Sequence, residues 1–79
     1  MRRSVKLKYL GAKLLAIRKH LGLSQSQLAE RLSFEVYYGR VSDYERGTRA
    51  PNLLILLDYA RLAGIHVDDL IDDNIKLSL

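Results

Sequence analysis

Apolar positions recur with a helical period from Leu10 onward. Leu10, Leu14, Ile17 and Leu21 fall on one face, Lys13, Arg18 and Lys19 lie off it, and Gly22 stops the run. That is the pattern of an amphipathic helix closed by a glycine. Ser24 can cap a short second helix bearing Leu28, Ala29 and Leu32, its hydroxyl accepting from the amide of Ser26 or Gln27. Gln25 and Gln27 then occupy the first turn, on opposite sides of the apolar stripe. Residues 33–37 break the pattern, after which Val41 and Tyr44 mark the buried side of a third helix ending at Gly47. A basic loop follows to Pro51. Asn52 caps a fourth helix over Leu53–Ala63, Gly64 ends it, and a last helix starts at His66 or Val67 and runs through Ile71. Asp68 and Asp69 suit the positive end of that helix dipole. Both ends of the chain, residues 4–9 and 75–79, alternate apolar and polar positions and read as extended. The expected fold is all-α, with five helices between short extended tails and no internal repeat or linker.

Length and composition narrow the function. Seventy-nine residues make one domain, and a domain of this size buries only about 60% of the surface its unfolded chain exposes, leaving little volume for an enclosed active site. With no cysteine, disulfides, thiolate nucleophiles and cysteine-containing zinc sites are excluded. His20 and His66 are the only histidines, and neither has a Ser, Asp or Glu pattern suggesting a triad or metal site. No enzymatic activity and no cofactor are expected. No apolar run reaches the roughly 18 residues of a membrane span, and the stretch before Leu10 is too short and too interrupted by Lys6 and Lys8 for a signal-peptide core. A cytoplasmic protein is expected. Charge is distributed unevenly: residues 1–49 carry a net +7 and residues 50–79 a net −3, as a polyanion-binding face with a solvated back would.

Several separated motifs resemble one family. The stretch LGAKLLAIRKHLGLSQ at 10–25, then Leu28, Ala29 and Glu30, then VSDYERG at 41–47 with Pro51, is similar to the Cro/C1-type (XRE) helix-turn-helix domain. The similarity continues through Leu56, Leu57, Tyr59, Ala60, the run Ala63, Gly64 and Ile65, and Asp69, Leu70 and Ile71. It divides the chain into a basic arm at 1–7, the domain at 8–73 and a C-terminal tail at 74–79. The fold it implies is a compact, five-helix lambda-repressor-like DNA-binding domain. One departure stands out: about two residues are inserted around positions 34–38, between the second and third helices. Either the turn is longer, or the third helix starts earlier.

The resemblance implies a sequence-specific binder of double-stranded DNA, a small transcriptional regulator of repressor type, whose third helix enters the major groove. The positions expected to read bases are Tyr38, Gly39, Arg40 and Asp43. The Arg40 guanidinium can bond O6 and N7 of guanine, or it contacts a phosphate. Asp43 can accept from cytosine N4, or orient Arg40 or Arg46. Gly39 either lets the backbone approach DNA or begins a tight helix. Tyr37 and Tyr38 can bond phosphates or stack under the enlarged turn. Phosphate contacts fall to Gln25, Arg46, Thr48, Arg49 and Lys19, with Lys13 as a further candidate. The resemblance also implies that Arg18 pairs with Glu45, locking the third helix on the first.

Four positions that the family pattern leaves polar are apolar here: Leu15, Leu54, Ile55 and Leu62. The last three share a side of the fourth helix by spacing and suggest a homodimer interface, extended by Ile75, Leu77 and Leu79. In the alternative, the tail folds back over these leucines within one chain. A protein-interaction module or an antitoxin component with a toxin partner, keeping the fold, is the alternative function.

Overall fold

The computed structural model describes residues 7–33 and 36–79, and the chain folds into five helices. They are α1 (Leu10–Leu21), α2 (Gln25–Glu30), α3 (Tyr38–Arg46), α4 (Leu53–Ala63) and α5 (Val67–Ile71). No strand is present among the described residues. Arg2, Arg3 and Lys6 of the expected basic arm lie outside the described residues, as do Phe34 and Glu35.

The helix ends follow local chemistry. Ser24 Oγ accepts from Gln27 N at 3.1 Å while Gln27 Oε1 accepts from Ser24 N at 2.8 Å, a reciprocal cap at the start of α2. Asn52 Oδ1 does the same for Ile55 N at 2.9 Å in α4, a type of contact that stabilises a helix by about 1 kcal/mol. Gly47 closes α3 at φ 76°, a conformation that a side chain would strain.

The core joins Leu10, Leu14 and Ile17 of α1 with Leu28, Val41, Tyr44, Leu56, Tyr59 and Leu70. Each fully buried Leu or Ile here contributes about 1.5–3 kcal/mol. Helix α3 packs on α1 and α2, while α4 and α5 pack on each other and on α1. A Cβ on Gly11 would lie 2.6 Å from the Glu45 carbonyl oxygen, so α1 and α3 meet backbone to backbone.

Three expectations are corrected. Ile55 is buried at 3% exposure and Leu62 is half-buried against the core, so they do not form an exposed face with Leu54. The buried stripe of α4 runs through Ile55, Leu56, Tyr59 and Ala60. Leu53 and Leu54, on the opposite side, are the exposed pair at 74% and 54%. The tail is not a strand: Leu77 packs against the core, Ile75 is half-buried, and both line a groove beside Ala12 and Ala16 of α1. Apolar burial within the chain thus occupies part of the surface expected to receive a partner.

Lys13 is also withdrawn as a phosphate contact. It is buried, and its Nζ donates to the carbonyls of Asp69 at 2.7 Å and Asp72 at 3.0 Å, closing the end of α5. Asp73 returns the favour: its carboxylate accepts from the amides of Lys8 at 3.0 Å and Tyr9 at 3.3 Å. This places negative charge at the start of α1, where Tyr9 supplies no cap of its own.

Helix α2 ends at Glu30, and α3 starts at Tyr38, seven residues before Glu45. Asp58 of α4 pins the turn, accepting from Ser33 N and Ser33 Oγ, each at 2.7 Å.

Candidate nucleic-acid interface

Helix α3 is oriented by one carboxylate. Glu45 accepts from Arg18 through Nε at 2.6 Å and Nη2 at 3.1 Å, a two-pronged pairing that fixes direction as well as distance. The remaining terminal nitrogen of Arg18, Nη1, donates to the Leu23 carbonyl at 3.0 Å, in the bend before α2. The pair is largely desolvated, with the side chain of Arg18 15% exposed and that of Glu45 5% exposed. The hydrogen bond to Glu45 raises the Arg18 pKa above its ordinary value, against the opposing effect of burial.

The same carboxylate holds the first residue of α2. Gln25 Nε2 donates to Glu45 Oε1 at 3.1 Å. A carboxylate only accepts, so the amide nitrogen must face it, and its second hydrogen is left for another acceptor. Arg18, Gln25 and Glu45 thus tie α1, α2 and α3 into one rigid corner. Tyr59 is fully buried with no hydrogen-bond partner for its hydroxyl among the described residues, and burial, followed by the Glu45 charge, pushes its pKa above the usual tyrosine range.

Each candidate on α3 has a defined place. Tyr38, the first helical residue, is 61% exposed. Gly39 is covered by Tyr37: a Cβ there would lie 2.3 Å from ring atom Cε2, so the glycine makes room for an aromatic ring. Arg40 lies along the flank, half-buried, its guanidinium carbon 5.8 Å from the Tyr37 ring centre, rather than pointing freely outward. Asp43 accepts from Arg46 Nη2 at 2.8 Å, and its backbone carbonyl accepts from Thr48 N at 3.0 Å and Thr48 Oγ1 at 3.2 Å. Of the two arginines offered as its partner, Asp43 takes Arg46.

Arg46, Thr48 and Arg49 are exposed in sequence where α3 passes into its loop, and Lys19 is exposed on the last turn of α1. The geometry therefore brings Gln25 to α3 through Glu45, and Arg46 to Thr48 through Asp43. It gives Lys19 and Arg49 no contact with either group. The role of Tyr37 against Gly39 and Arg40 was not legible from spacing, although an aromatic residue just before a glycine-containing first turn was its only signal. The Asp58 pin on the turn had none beyond a lone acid in an apolar helix.

A capped α2 and a locked α3, packed on each other with α3 held against α1, define a helix-turn-helix domain. A family model described as helix-turn-helix matches residues 14–70, and the chain belongs to that family, the Cro/C1-type or XRE regulators. No curated protein and no solved structure matches it. The family is one of DNA-binding transcription regulators. No described helix is long and apolar enough to cross a membrane.

Proposed function

We infer that the chain binds double-stranded DNA with α3 in the major groove and acts in the cytoplasm as a small repressor. The observation that carries this reading is the Arg18–Glu45–Gln25 corner, which holds α3 rigidly while leaving a Gln25 amide hydrogen beside it for a phosphate. B-DNA's major groove is about 12 Å wide and admits one helix. Tyr38, 61% exposed, and Arg40, whose guanidinium rests beside Tyr37, are the α3 side chains we assign to base edges. Asp43 organises Arg46 and Thr48 for the backbone, with Arg49 and Lys19 extending the phosphate contacts.

Leu53 and Leu54, exposed at the start of α4, support a homodimer, and two copies would present two recognition helices to a two-fold symmetric site. The same pair favours the second reading, a protein-interaction module or antitoxin component that docks a protein partner there.

Selection of binding sites from random duplex tests both. A DNA-reading dimer returns inverted half-sites about one helical turn, roughly 34–36 Å, apart. Gln25→Ala should then weaken every selected duplex by a similar factor, since a phosphate contact carries no sequence information. Loss of preference at one base position in Gln25→Ala would contradict its assigned role, and failure to enrich any sequence would favour the protein-binding reading.

A further inference from the structure

The residue just before the recognition helix lays an aromatic ring against it. Tyr37 sits just before α3, and its ring covers the Cα of Gly39, where an added Cβ would meet ring atoms Cε2, Cζ and Cδ2 at 2.3, 3.2 and 3.1 Å. The Arg40 guanidinium carbon lies over the same ring, 5.8 Å from its centre. Tyr37 and Arg40 line one hollow with Tyr44 and Asn52. Within it Arg40 Nε is buried and has no hydrogen-bond partner among the described residues. Tyr38 braces the ring edge-on, with centroids 6.3 Å apart and planes at 78°.

An arginine side chain has four rotatable bonds and loses up to about 2 kcal/mol of rotamer entropy when it is fixed. A neighbour that restricts it beforehand lowers that loss on binding. We propose that Tyr37 is a specificity-determining positioning residue, whose ring, admitted by Gly39, holds Arg40 in the conformation that reads a guanine. With Nε buried, the Nη1 and Nη2 donors are the pair left to reach O6 and N7 of that base. Tyr37 does not itself touch the base. The proposal rests on α3 reading DNA through Arg40, and its test separates the two claims.

Tyr37 is 62% exposed, so its replacement leaves the core intact. Gly39→Ala directs a methyl group at the far edge of a movable ring, so it displaces the ring without disturbing packed backbone. In site selection, Arg40→Ala should abolish a guanine preference at one position. Tyr37→Ala and Gly39→Ala should each reduce that same preference by about two- to fivefold, the range of a cation–π contact at an exposed site. Tyr37→Phe, which keeps the ring, should retain it. Tyr37→Ala combined with Arg40→Ala should match Arg40→Ala alone. A Tyr37→Ala protein weakened equally on all duplexes, or additive with Arg40→Ala, overturns the positioning role while leaving Arg40 as a reader. An Arg40→Ala protein with unaltered preferences overturns both.

Discussion

Arg18→Ala should destabilise the domain by about 3–5 kcal/mol, because it leaves the Glu45 carboxylate buried without its counter-charge. Glu45 keeps only the Gln25 amide, and the Leu23 carbonyl loses its partner as well. Domains have total stabilities of roughly 5–15 kcal/mol, so this one change removes a large fraction. At about 4–8 °C per kcal/mol for a chain of this size, the midpoint of thermal unfolding should fall by at least about 12 °C. Replacing both partners, Arg18→Met with Glu45→Leu, should recover much of the loss, since no charge is then stranded. A drop below about 1 kcal/mol for Arg18→Ala, followed by circular dichroism, would mean that the pair is solvated and does not lock α3.

Gly11→Ala should lower stability although alanine is the better helix former by about 1 kcal/mol. The new methyl would lie 2.6 Å from the Glu45 carbonyl oxygen and 3.1 Å from that of Tyr44. Both are backbone atoms that cannot rotate away, so α1 and α3 must separate. Overpacking of this kind costs about 1–3 kcal/mol. The separation also lengthens the Arg18–Glu45 contact, so affinity for DNA should fall along with stability. A Gly11→Ala protein that melts higher than the parent would show that the two helices do not meet as closely as described.

The parts of this fold that were legible in the sequence are those set by local chemistry. Ser24, Asn52, Gly22, Gly47 and Gly64 mark helix ends because capping and left-handed backbone depend on one or two neighbouring residues. The apolar face of α1 was legible because lysines and arginines interrupt it. Helix α4 is harder: residues 53–57 are all apolar, so spacing leaves the angular position of the buried stripe undetermined, and Ile55 falls on the buried side rather than the exposed one. Long-range partners were equally hidden. Lys13 looks like any helix lysine until the end of α5 is brought to it, and Asp58 shows its purpose only where Ser33 returns to α4.

The candidate interface divides in the same way. The pairing of Arg18 with Glu45 was legible from their motif positions, whereas the bond from Gln25, expected only at a phosphate, to the same carboxylate was not. Arg40 lies beside Tyr37, a residue of the connection before α3, and no periodicity reports where such a ring will lie.

The most direct test of DNA binding is titration of the chain onto mixed-sequence duplex at increasing salt, read by fluorescence anisotropy. Lys19, Arg46 and Arg49 are the cations assigned to phosphates. The logarithm of the binding constant should therefore fall linearly with the logarithm of salt concentration, with a slope of about −2.7 per protomer at about −0.9 per phosphate. A slope near zero, or no binding at about 50 mM salt, would contradict the reading of this surface as one that docks on DNA.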